Sequence, residues 1–273
     1  MKDWITRHQP QALLLWNSLG LIIASLVMLS PLIRSHPLWA LGVFLFFLLW
    51  SNLGSRYFAR LRMVQFQQVT TALYEGCDPQ PLLEMSEQEL AATPPRRNNM
   101  PYLGACAANR MTALYALGRF AEAIDACPAG PLAPADPASQ LVLQVNLANL
   151  HLAMNHPDLA QEVMARAQAL LEGLPADHPS RPLCQDAIDS FDIALRLLQG
   201  NIEGLLPTLE SGLETADTEY QRVGAHFQLG RYYLKADRPD LARPHFEYAA
   251  EHGNRLYYRS DAQDYLARLD QGE

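Results

Sequence analysis

The chain has 273 residues, 49% of them hydrophobic and 18% charged, and a net charge of −8. Lys2, Arg7, Arg34, Arg56, Arg60 and Arg62 against the single acid Asp3 give residues 1–62 a charge of +5, which leaves −13 on the remainder. An acidic body excludes a nucleic-acid binder, because phosphate recognition needs clustered Lys and Arg; a basic, apolar head joined to it points to a membrane anchor carrying a water-soluble domain.

From Leu13 to Ile33 the chain runs 21 residues without a charge, about 31 Å as a helix and enough to cross the hydrocarbon core. After Arg34-Ser35-His36-Pro37 comes a second apolar run, Leu38 to Leu53, of 16 residues. That is only about 24 Å, and Tyr57 and Phe58 lengthen it if Arg56 and Arg60 snorkel to the headgroups. So short a link predicts antiparallel neighbours, a transmembrane hairpin within residues 1–54. The basic residues flank the pair and mostly avoid the link, so the positive-inside rule puts both ends in the cytoplasm, with the protein a two-span resident of the cell membrane. Trp16 and Trp50 fall near one interface and Trp39 near the other. A cleaved signal peptide would have a shorter core, of about 7–15 residues, and a small-residue cleavage site; a core hairpin of a soluble protein would carry a more polar face. Asn17, Ser18, Gly20, Ser25, Ser30 and Gly42 suit helix–helix contact. No Asp, Glu or Lys lies in either span to mark a proton relay or transport site.

Residues 55–273 read as helical throughout, with Pro, Gly and Asn at regular breaks and no alternating strand pattern. Asn155-His156-Pro157-Asp158-Leu159-Ala160 returns 82 residues later as Asp237-Arg238-Pro239-Asp240-Leu241-Ala242. Each is a short turn followed by a helix with Pro near its first position and Asp in its first turn. Gly200-Asn201-Ile202-Glu203, Gly118-Arg119-Phe120 and Cys77-Asp78-Pro79-Gln80 fill equivalent turns. The spacing predicts five helix pairs, at 55–91, 101–127, 138–172, 184–214 and 218–252, then a capping helix over 254–269. In that helix Leu256, Tyr257, Leu266 and Leu269 would cover the exposed end of the stack. The stretches Thr93–Asn99 and Pro128–Pro137 are predicted loops.

The last pair has Leu229-Gly230, Tyr233, Ala242, Phe246 and Ala249, and an earlier one has Leu117-Gly118-Arg119-Phe120-Ala121-Glu122-Ala123-Ile124. These segments resemble the tetratricopeptide repeat family, with its LG-x-x-Y and A-x-x-x-F-x-x-A spacing, over roughly residues 60–252. The pair at 141–171 keeps Ala148, Ala160 and Ala167 without the aromatics, the pair at 186–214 keeps Gly200, and the opening Trp of the motif is absent. The resemblance implies an all-α, right-handed solenoid of helical hairpins attached to the transmembrane hairpin. Its first helices would line a concave groove for a protein or peptide partner. Projected by helical spacing, the groove residues are Asn109, Tyr115, Asn146, Asn149, Phe191, Phe227 and Arg231; Asn amides can both donate to and accept from a peptide backbone. The cluster of cations with which the family's chaperone-binding branch grips a terminal carboxylate is not reproduced, Arg231 being the one well-placed cation.

No motif for nucleotide, phosphate, hydrolase or metal chemistry is present, so neither an enzyme nor a cofactor or metal is expected. His245 and His252 are seven apart, too far for one metal without other ligands; Asp186, Asp189 and Asp192 repeat along a helix as a solvated acidic face. Cys77, Cys106, Cys127 and Cys184 lack CxxC spacing and read as buried thiols of a reducing compartment, with a reversible Cys106–Cys127 pair left open. Two functions follow. One is a membrane-tethered cytoplasmic scaffold or adaptor that concentrates a bound protein or peptide at the bilayer; the other is an accessory subunit of a membrane complex, recognised through its hairpin.

Overall fold

The computed structural model describes residues 9–29 and 37–271. They form twelve α-helices and, among the described residues, no strand. The helices are α1 (Gln9–Met28), α2 (Pro37–Tyr74), α3 (Gln80–Ala92), α4 (Met100–Ala116), α5 (Phe120–Asp125) and α6 (Pro137–Ala153). After them come α7 (Pro157–Gly173), α8 (Arg181–Gln199), α9 (Leu206–Glu214), α10 (Glu219–Lys235), α11 (Pro239–His252) and α12 (Tyr257–Gln271). The chain divides into two compact units, Met1–Gln68 and Val69–Glu273. The link at 34–36, the end of the first predicted span at 30–33, and Lys2 and Arg7 lie outside the described residues.

In the first unit the second predicted span does not stop at Leu53. It continues without a break into the predicted first helix of the first pair, making α2 a 38-residue helix. Gly54-Ser55 is a weak breaker without a proline behind it. Among the described residues, one helix, over Leu41–Tyr74, is long and apolar enough to cross a membrane, and Ala12–Met28 is a shorter apolar helix. Leu14, Leu15, Leu21, Ile22, Phe44 and Leu49 are all more than half exposed.

Where α1 meets α2, two tryptophans clasp. The Trp16 indole N–H donates to the Trp50 carbonyl (3.1 Å), and the Trp50 N–H donates to the Trp16 carbonyl (3.0 Å). Their rings stack with centroids 4.3 Å apart. Each ring lies on a glycine of the other helix: a Cβ at Gly20 would overlap the Trp50 indole, and one at Gly54 would overlap that of Trp16. The two helices are therefore antiparallel at this contact, and the sequence itself is nearly duplicated there, as Leu-Leu-Trp-Asn-Ser-Leu-Gly (14–20) and Leu-Leu-Trp-Ser-Asn-Leu-Gly (48–54). Gly42, expected at a helix contact, faces open space; Gly54 holds that role.

The second unit is organised by its turns. Each of the five turns marked in the sequence holds a residue in the left-handed region: Cys77 (φ 50°), Gly118 (75°), Asn155 (59°), Gly200 (77°) and Asp237 (56°). In four of them the next N–H reaches back five residues, Arg119 to the Leu114 carbonyl, His156 to His151, Asn201 to Arg196 and Arg238 to Tyr233, at 2.8–2.9 Å. This is the Schellman closure, which satisfies carbonyls orphaned at a helix end. Left-handed backbone strains a residue with a Cβ, so Asp237→Gly is expected to raise stability by about 0.5–1 kcal/mol, measured as the denaturant midpoint.

Successive helices pack in order: α3 on α4, α6 on α7, α8 on both α6 and α7, α9 on α10, α10 on α11, and α11 on α12. At α10–α11 the approach is close enough that a Cβ on Gly230 would sit 2.7 Å from the Phe246 ring. One core, with Leu141, Val145, Ala148, Ala160, Val163 and Phe191, joins α6, α7 and α8; a smaller one, with Leu197, Leu205, Leu209 and Leu229, joins α8, α9 and α10. The largest joins residues remote in sequence: Leu73, Leu82 and Leu83 pack with Met111 and Leu114 and with Val223, Phe246 and Leu256.

Through that core the last helices of the second unit pack against its first ones. Asn254 donates to the Gly76 carbonyl (2.7 Å), the Arg255 N–H donates to the Cys77 carbonyl (3.2 Å), and Tyr257 packs edge-on against Tyr115 and Phe120. Helix α12 starts at Tyr257, three residues later than expected, after Asn254 turns the chain at φ 42°. Its apolar residues, Tyr258 and Ala262 among them, are spent on closing the last helices against the first.

Candidate functional site

Helix α4 carries Gly104, Ala105 and Ala108 on one face, and α6 opposes them with Ala138, Val142 and Asn146. Small side chains on both walls leave a cleft of about 810 Å³. Residues Pro131–Ala135 close one side; the strap lies so near α4 that a Cβ at Gly104 would strike the Leu132 carbonyl. Gln140 Nε2 holds it by donating to the Pro134 carbonyl (2.9 Å). Asp136 ends the strap and caps α6, accepting from the Ser139 N–H (2.8 Å), and that hydrogen bond holds its carboxyl below the usual range. Asn109 and Asn146 supply the amides of an otherwise mainly apolar lining.

A second cavity of about 590 Å³ is lined by Tyr115, Asn149, Phe227, Arg231, Tyr257 and Arg268, among others. Between the two sits a space of about 110 Å³ with Tyr115, Asn146 and Asn149 on its wall. Six of the seven groove residues expected from spacing therefore line three neighbouring cavities. Phe191 does not join them. It is 3% exposed in the core of α6, α7 and α8, because it continues the apolar stripe of Cys184, Ile188 and Leu195 on α8. Phe227, although it lines its cavity, is 4% exposed and packs against Phe246 and Tyr258.

Sequence spacing missed what α12 contributes. Tyr257, Asp261, Tyr265 and Arg268 line the second cavity; the spacing expects Tyr257 to cover the end of a stack and Asp261 and Arg268 to face water, and it does not single out Tyr265. The Tyr115 and Tyr257 hydroxyls lie 3.1 Å apart. Burial pushes both above the ordinary tyrosine range, with the mutual hydrogen bond offsetting part of that for Tyr115. At pH 7 both are neutral and present a donor and an acceptor to the cavity.

Also missed was a pair on α10 and α11: His226 Nδ1 and His245 Nδ1 are 2.9 Å apart. Among the described residues no three His, Cys, Asp or Glu side chains gather as a metal site would require. Cys77, Cys106, Cys127 and Cys184 are free thiols, and burial pushes Cys77 up to about 11. No protein-family model, curated protein or solved structure matches this chain.

Proposed function

We propose that this chain is a membrane-tethered adaptor: a two-span N-terminal hairpin holds a tetratricopeptide-like array at the cytoplasmic face, and the array binds a peptide segment of a protein partner. The carrying observation is the cleft between α4 and α6, where Asn109 and Asn146 face a mainly apolar channel of small side chains. Such a channel takes an extended, largely apolar segment, with the amides bonding its backbone. The five equivalent left-handed turns and the Gly230–Phe246 approach support the repeat reading. The exposed apolar surface of α1 and α2 supports the membrane reading, and the +5/−13 charge division supports the cytoplasmic side. Binding, not catalysis, is the activity on this reading.

A photocrosslinking residue in place of Ala105, in the cleft, is expected to trap one protein adduct in cells; the same residue in place of Asp189, an exposed position on α8, is expected to trap none. Gly104→Leu, which drives the strap off α4, should abolish that adduct while the far-UV circular dichroism stays helical. An adduct that survives Gly104→Leu would sink the cleft as the binding site. Exchange of residues 1–53 for an unrelated two-span anchor should leave the adduct intact; its loss would favour a subunit recognised through the hairpin.

A further inference from the structure

The second cavity has a basic wall. Arg231 and Arg268 line both it and an adjoining cavity of about 510 Å³, which Lys235 also borders. The Arg231 guanidinium lies 6.0 Å from the Phe227 ring centre and that of Arg268 lies 5.8 Å from Tyr265. Aromatic faces attract and orient such groups. Neither has a carboxylate in salt-bridge range among the described residues, whereas Arg222, Arg238, Arg243 and Arg255 from the same stretch of chain each do. Arg231 makes a single long hydrogen bond, 3.3 Å, to Gln228. Among the described residues Asp261 is the only acid lining the cavity; burial first, and then Asp264, raise its carboxyl above the ordinary range, with Arg231 pulling the other way.

Two guanidinium groups set against aromatic rings, with no carboxylate in salt-bridge range among the described residues and Asp261 the acid that shares their cavity, form a basic wall in a body whose net charge is −13. We propose that this wall binds a small oxyanion ligand, an organic phosphate or carboxylate of metabolite size. The planar guanidinium matches two oxygens of either group at once. The Tyr115 hydroxyl and the amides of Asn149 and Asn155 stand on the same cavity for the polar remainder of the ligand. A volume of about 590 Å³ lies within the span of small-molecule sites. The site does not depend on the α4–α6 cleft, so it stands or falls apart from the peptide reading.

The test uses the full chain in neutral detergent. Inorganic phosphate, pyrophosphate and citrate are titrated at constant ionic strength, with calorimetric binding and the thermal midpoint as readouts. At least one is expected to bind saturably and raise the midpoint. Arg231→Gln and Arg268→Gln should each weaken it about tenfold or more, and the double change should remove it. Arg243→Gln, which breaks the pair with Asp270 instead, should leave affinity unchanged. If the double glutamine variant does not fold, Arg231→Lys with Arg268→Lys keeps the charge but loses the fork, and should fold with affinity weakened by about tenfold or more. No saturable binding of any of the three anions, binding unchanged in the variants, or saturation by an oligoglutamate peptide with none by the small anions would each overturn the proposal.

Discussion

Gly20→Leu and Gly54→Leu are each expected to separate α1 from α2, at a cost of about 3 kcal/mol. At either glycine the added side chain enters the space of an indole held on two sides, by the stack and by its own hydrogen bond. The ring cannot turn away without leaving its N–H and the partner carbonyl unpaired. Overpacking costs about 1–3 kcal/mol, and the pair of hydrogen bonds contributes about 1 kcal/mol each. Exciton coupling between the stacked Trp16 and Trp50 rings, read by circular dichroism in detergent, should vanish in both variants. Gly42→Leu should leave it intact, since nothing lies within 4 Å of the Cβ position there. Trp16→Phe keeps a ring on Gly54 but removes one donor, and is expected to cost only about 1 kcal/mol. Coupling that survives Gly20→Leu would mean that the clasp does not hold the helices together.

The parts of the fold that could be read from the sequence are those fixed by local chemistry. Gly118, Asn155, Gly200 and Asp237 are residue types that tolerate left-handed backbone, and four of the five turns fall where one of them stands, Cys77 holding the fifth. Proline at the first positions of α7 and α11 cannot donate a helical hydrogen bond and so marks a start. Long-range closure was not legible. Tyr257, Tyr265 and Arg268 have the periodicity of any amphipathic helix, and nothing within α12 says that Tyr257 will meet Tyr115, 142 positions earlier. Phe191 illustrates the converse failure: helical spacing gave its face, but that face is the apolar stripe of α8 and turns to the core. The Trp-x-x-x-Gly duplication was written in the sequence, but its meaning needed the antiparallel register, in which residue 16 meets 54 and residue 20 meets 50.

Acidification is expected to loosen the packing of α10 on α11 through the His226–His245 pair. With the Nδ1 atoms 2.9 Å apart, one ring must donate and the other accept, so the contact exists only while at least one ring is neutral. The pair sits in a run of stacked rings: Tyr233 on His245, His226 on Tyr248, and Tyr248 on His252. Glu219 lies below, accepting from Tyr248 (2.8 Å) and Arg222 (2.9 Å) and standing 3.4 Å from His252. Burial first, and then the charge of His245, lower His226 from 6.5 to about 4, with Glu219 pulling the other way; burial lowers His245 too. A base whose folded pKa is depressed binds its proton more readily when unfolded. Its contribution to stability is therefore complete above pH 6.5 and is lost as the pH falls toward 4. Glu219 has a lowered pKa and gives up its share only below its ordinary 4.5, which separates the two windows. Because the rings are half-buried, solvent screens part of the effect, leaving about 2 kcal/mol between neutrality and pH 4, or about 4–8 °C in Tm for a domain of this size. His226→Phe keeps the stack on Tyr248 and removes the titrating group, so its Tm should fall less steeply than that of the unchanged chain between pH 6.5 and 4.5. Parallel slopes for the two proteins across that interval would show that the pair does not govern the response to acid.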